Sequence, residues 1–137
     1  MTCAPATPPD LRALFDAQFH ASRAQPQVAL AVRRERLLRL RTLLEQHAPV
    51  LAAAVQADFG MRSARLTEVA DFFLLRALLA HTEAHLARWM RPRKVPTPWH
   101  LRPARAFIQR QPLGVVGVIS PWNYPIQLAL APAITAL

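Results

Sequence analysis

The sequence predicts an α/β protein in which helices come first and a strand, a tight turn and a further helix follow. Three observations lead there. Leucines and aromatics recur at helical spacing through residues 28–58 and again through residues 67–89. The period then changes, and residues 115–119 form a continuous β-branched apolar run, the mark of a strand buried on both faces. That run leads into Pro121-Trp122-Asn123-Tyr124-Pro125, a turn stiffened by two prolines that preset φ and restrict the residues before them.

Taken in order, residues 1–9 hold Pro5, Pro8 and Pro9 and no charge, and read as a loose tail. A helical region over residues 10–91 follows. Its first helix spans residues 11–23, with Asp10 as N-cap. The second covers residues 28–58, with Leu30, Leu37, Leu40, Leu44, Leu51 and Val55 on one face. Arg33, Arg34, Arg36, Arg39 and Arg41 lie mostly off that face. Pro49 is expected to break or kink this helix, and Gly60 to stop it. The third begins at Thr67 as cap, with Glu68 and Asp71 in its first turn. Phe72, Leu75, Leu79, Leu86 and Trp89 make its apolar face, and it ends before Pro92. Pro92, Pro96, Pro98 and Pro103 make residues 92–103 a basic loop. Residues 105–110 are extended in character. Gly114 and Gly117 suit close backbone approach. Pro125 fits the first turn of a last helix over residues 126–137, which Pro132 is expected to kink. Residues 112–137 carry no charge and stop inside that apolar helix. The chain is therefore expected to be the front of a longer protein, its sheet incomplete.

The 137 residues suffice for one modest domain, and an apolar fraction of 53% suffices for a core. The formal charge is +9, and Lys94 is the one lysine among 17 basic residues. A basic surface binds nucleic acid or anionic lipid. Here no base-reading motif or aromatic stacking pattern accompanies the arginines. The richness in Arg and Ala is read instead as coding bias, balanced by acids elsewhere in a longer protein, so no nucleic-acid partner is expected. The basic run Arg88, Arg91, Arg93, Lys94, Arg102, Arg105 and Arg110 is read as a solvated rim facing a partner subunit. Cys3 is the only cysteine, and the start of the chain lacks the basic and apolar stretches of a secretory signal. A reducing cytoplasm is the expected compartment. Residues 112–137 are long enough to cross a bilayer, yet four prolines with Asn123 and Gln127 argue against it, and no membrane partner is expected. His81 and His85 stand four apart, a spacing that suits zinc, but no third ligand is evident and no metal is expected.

The turn carries the chemistry. Asn123 sits at the exit of the expected strand, where open α/β sheets bind ligands. Residues 111–125, Q-P-L-G-V-V-G-V-I-S-P-W-N-Y-P, resemble the strand and turn that open the cofactor domain of aldehyde dehydrogenases. Three further stretches share the likeness: Ala57-Asp58-Phe59-Gly60 with Arg62-Ser63, Trp89-Met90-Arg91-Pro92 with the basic residues after it, and Phe107 to Pro112. The likeness covers most of the chain from about Val28 onward. Tyr124, where many relatives have phenylalanine, points to the class 3-like branch; within that branch the chain resembles the coniferyl aldehyde dehydrogenases of bacterial type.

The resemblance implies a Rossmann-type cofactor domain beginning at residue 104 and incomplete at 137. It implies oxidation of an aldehyde to a carboxylic acid with NAD or NADP, in a homo-oligomer, a dimer. A cysteine thiolate would add to the carbonyl, and the Asn123 amide would stabilise the oxyanion so formed. Ile119, Ser120 and Trp122 would border the cofactor, and Tyr124 would line the aldehyde tunnel. The nucleophilic cysteine in its context, the glutamate base and the lysine for the adenosine ribose are not found in these residues. The runner-up reading is a non-catalytic module that pairs with full-length subunits, followed by a small basic nucleic-acid binder. The chain alone is expected to be inactive, and aldehyde-dependent NADH formation by the purified 137 residues overturns that expectation.

Overall fold

A computed structural model describes residues 10–137, so the expected tail over residues 1–9, Cys3 included, lies outside the described residues. The described residues fall into two compact units. The first comprises residues up to Gln27 together with Gln111–Val116. Its helix, α1 (Leu11–Ala24), begins at Asp10 as the sequence predicts. The Asp10 carboxylate accepts from the backbone N–H groups of Arg12 and Ala13 at 2.9 and 3.2 Å, satisfying two of the otherwise free donors of the first turn. Phe15 stacks on Phe19, and the Arg23 guanidinium lies over the Phe19 ring. Gly114 adopts φ +99°, a conformation that favours glycine.

The second unit, Val28–Arg110 with Gly117–Leu137, holds the core. Its helices are α2 (Leu30–Phe59), α3 (Ala64–Thr67), α4 (Leu74–Trp89) and α5 (Pro125–Ala136). A wide π-helical turn, Glu68–Phe73, joins α3 to α4. Leu37, Leu44, Ala48 and Val55 of α2 meet Leu75, Leu79 and Leu86 of α4, with Phe72 of the π-turn and Ile126 and Ile134 of α5. The leucine stripes of the sequence thus become the core, with Leu30, Leu40 and Leu51 packed at its edge. Gly60 ends α2 at φ +69°, its N–H bonded to the Gln56 carbonyl. Pro125 occupies the first turn of α5.

Several expectations are corrected. Helix α2 runs through Pro49 without a break. Pro49 lies on the exposed face, as does Glu45, whose carbonyl loses its partner and is left to water. Pro132 sits inside α5, which continues past it to Ala136, as a proline-kinked helix does. The third helical block starts one turn earlier than Thr67. Ser63 is the cap, its Oγ accepting from the Leu66 N–H at 3.1 Å, and Thr67 is buried. The proline-rich loop contains β1 (Arg93–Val95) and a 3₁₀ turn at Trp99–Leu101. Strand β1 pairs antiparallel with β2 (Ala106–Ile108), placing Lys94 opposite Phe107.

The largest correction concerns residues 115–119. They form no strand, and Ile119 is 98% exposed rather than buried on both faces. A strand needs a neighbour to take its N–H and C=O groups, and among the described residues none pairs with this segment. The architecture is mostly helical with one two-stranded sheet; of the expected strand, turn and helix that open an incomplete Rossmann-type domain, the turn and helix are formed among the described residues and the strand is not. No other described part of the chain lies within 4 Å of the space a side chain would take at Gly117, so among the described residues the expected close backbone approach is not realised there.

Leu79 is fully buried where α4 meets α2, whereas Leu38 is 58% exposed. Leu79→Ala is expected to lower unfolding stability by about 2–5 kcal/mol, and Leu38→Ala to change it by less than about 0.5 kcal/mol. Urea denaturation of the two variants measures the contrast.

Candidate functional site

The turn at residues 121–125 lies in the second unit, directly before α5. Two prolines set φ at its ends, but the residues between them are not fixed by covalent geometry. Tyr124, the residue before α5, has φ −136° and ψ 68°, and no side chain of its own segment caps the helix. Beyond the adjacent Ser120, the side chains that hold the turn come from far upstream.

Gly60 reverses the chain after α2 and brings Arg62 back across the start of the next helix. The Arg62 guanidinium then donates in three directions. Nε reaches Thr67 Oγ1 at 3.1 Å, Nη2 reaches Asp71 Oδ2 at 2.7 Å, and Nη1 reaches the backbone carbonyl of Asn123 at 2.6 Å. Its plane is bracketed by aromatic rings, with Phe59 and Tyr124 centroids at 5.1 and 4.9 Å. The second carboxylate oxygen of Asp71 accepts from the Gln127 N–H at 2.9 Å. Gln127 is the third residue of α5, so Asp71 caps that helix from another element and sets negative charge against its positive end. The side chains of Arg62 and Asp71 are 7% and 0% exposed.

The residues singled out by sequence sit around this pair. Asn123 is exposed, and none of these bonds uses its carboxamide. The Ser120 Oγ lies 3.1 Å from the carbonyl oxygens of both Pro121 and Pro125, which share its single proton. Trp122 is mostly exposed, with one side 5.6 Å from Phe59. Ile119 stands free in solvent, and Tyr124 shows a third of its surface. The turn thus presents an amide and three apolar side chains outward while its backbone is fixed from behind.

The sequence reading missed Arg62 and Asp71 as parts of the site. One signal was available. Asp71, Leu75 and Leu79 recur every four residues and share a helical face. A carboxylate on a core face demands a partner.

His81 and His85 stack on each other with centroids 4.1 Å apart, and His85 stacks on Trp89. Among the described residues no group of three His, Cys, Asp or Glu side chains is placed to hold a metal ion. No helix among them is long and apolar enough to cross a membrane.

Comparison with known proteins places this arrangement. The chain matches the aldehyde dehydrogenase family along residues 1–137. It is 45% identical over 93 residues to a probable coniferyl aldehyde dehydrogenase of Caulobacter vibrioides, covering 66% of this chain and 19% of that protein. It is 40% identical over 131 residues to a coniferyl aldehyde dehydrogenase of a Pseudomonas species, covering 94% of this chain and 26% of the relative. It is 33% identical over 127 residues to aldehyde dehydrogenase family 3 member B1 of Homo sapiens, covering 93% and 26%. The chain belongs to the aldehyde dehydrogenase family, a family of oxidoreductases. It spans about a fifth to a quarter of the length of these relatives.

Breaking a buried pair by removing one partner leaves an uncompensated charge, at a cost of about 3–5 kcal/mol. Asp71→Ala is expected to destabilise the chain by that amount. Removing both charges in Arg62→Met with Asp71→Leu is expected to cost less than the two single changes added together, and denaturant unfolding of all four proteins measures the coupling.

Proposed function

We propose that these residues serve the NAD(P)-dependent oxidation of an aldehyde to a carboxylic acid, with Asn123 as the donor that stabilises the oxyanion. The observation that carries this reading is the division of labour within one residue. The backbone of Asn123 is held by Arg62 at 2.6 Å, while among the described residues no hydrogen bond engages its carboxamide, which lies at the surface. A donor held in place before the reaction needs no reorganisation when negative charge develops on the carbonyl oxygen.

The remaining residues fit the same reading. Ile119 and Trp122 offer exposed apolar surface beside the turn, which suits the flat faces of a dinucleotide. Ser120 stands between them and fixes the local backbone. These three residues would hold the cofactor next to Asn123; when bound, the dinucleotide accepts a hydride from the substrate carbon. Tyr124 has one ring face against Arg62 and part of its surface open, which suits the wall of an aldehyde path. Relatives named as coniferyl aldehyde dehydrogenases support an aromatic aldehyde as substrate. The cytoplasm and a homodimer complete the proposal, with the basic ribbon β1–β2 as its rim.

The test is Asn123→Ala in the protein expressed from its full reading frame, assayed with an aromatic aldehyde and either dinucleotide. Loss of one oxyanion donor is expected to lower kcat about 10²–10³-fold, with little change in dinucleotide affinity. An unchanged kcat overturns the assignment.

A further inference from the structure

We infer that Arg62 and Asp71 are positioning residues for catalysis, a buried ion pair that sets the direction of the Asn123 carboxamide. This rests on the reading of Asn123 as the oxyanion donor.

Pro121 and Pro125 fix their own φ angles and bias the residues before them, but Trp122 and Asn123 keep both backbone torsions. The backbone sets where the Asn123 Cβ stands and which side-chain rotamers its carboxamide can adopt. The Arg62 Nη1 bond to the Asn123 carbonyl fixes the peptide plane on one side of that Cα. The Asp71 Oδ1 bond to the Gln127 N–H fixes the start of α5 four residues later. The two bonds share one ion pair, Nη2 to Oδ2 at 2.7 Å, so the carbonyl and the helix end cannot move apart without breaking it.

The guanidinium in turn has little freedom. Thr67 Oγ1 takes its Nε, and the rings of Phe59 and Tyr124 cover it. Tyr124, the proposed wall of the aldehyde path, therefore rests on the same cation that anchors Asn123. Only a planar fork with several donors meets these partners together; a lysine ammonium is a point charge and does not. Misplacement of a reacting group by about 1 Å costs on the order of 10²-fold in rate.

Arg41 and Glu83 supply a control. They form a two-bond ion pair between α2 and α4, at 3.2 and 2.6 Å, and touch no part of the turn. Loss of that pair weakens packing without altering Asn123.

The experiment uses the protein from its full reading frame. Arg62→Lys and Asp71→Asn are each expected to lower kcat about 10- to 100-fold while leaving the KM values for aldehyde and dinucleotide little changed. Arg41→Gln is expected to lower the melting temperature and leave kcat unaltered. The double variant Arg62→Lys with Asn123→Ala is expected to be no slower than Asn123→Ala alone, because the group being aimed is gone. Amide exchange at Gln127 is expected to quicken in Asp71→Asn but not in Arg41→Gln. The inference is overturned if Arg62→Lys and Asp71→Asn behave as Arg41→Gln does, or if their effects multiply with that of Asn123→Ala. A separate failure, in which Asn123→Ala alone leaves kcat unchanged, removes the oxyanion reading on which the inference rests.

Discussion

The buried ion pair of Arg62 with Asp71 ties the 121–125 turn and the start of α5 to the helices that the hydrophobic core packs together. Burying two charges carries a desolvation cost that their mutual attraction offsets only when the remaining donors and acceptors are also used. Here they are. Arg62 donates from all three of its nitrogens, and both oxygens of Asp71 accept, one from the guanidinium and one from a helix amide. The partners come from α2's exit, the buried Thr67, the π-turn, the 121–125 turn and the first turn of α5. Removing either charge strands the other among groups that point at it.

The core and the pair are built on the same stretch of helix. Asp71 is followed by Phe72, Leu75 and Leu79, all buried. The π-turn at Glu68–Phe73 widens the backbone where Asp71 must face the turn and Phe72 must face the core. π-bulges are common where a helix is bent to serve a site. Apolar packing of α2, α4 and α5 sets the distance between helices, and the ion pair then fixes the turn that leads into α5. Arg76 pairs with Glu68 on the outer side of the same turn. That exposed contact adds little beside the buried one.

What the sequence discloses is the local part. Asp10 as cap, Gly60 as stop, Pro125 as first helical residue and the leucine stripes each follow from a rule that needs only neighbours a few positions away. What it conceals is non-local. The β1–β2 ribbon joins segments separated by a proline-rich loop, and nothing within residues 93–95 announces a partner at 106–108. Residues 115–119 have the composition of a buried strand, but composition cannot supply a neighbour. Thr67 looks like a cap because threonine often is one; its hydroxyl is used by Arg62, and Ser63 serves the helix end. At the site, the presented residues 119–124 were readable as a motif, whereas Arg62 and Asp71 lie far from them in sequence and required the fold.

This division changes where the rigidity of the turn comes from. In an open α/β sheet, a group at a strand exit is ordinarily placed by the strand, whose ladder fixes the backbone that carries it. Here residues 115–119 make no ladder, with Leu113, Val116, Val118 and Ile119 all exposed. Yet the Asn123 carbonyl and the start of α5 are held by hydrogen bonds of 2.6 and 2.9 Å from the helical side. The turn is therefore anchored independently of any strand that precedes it.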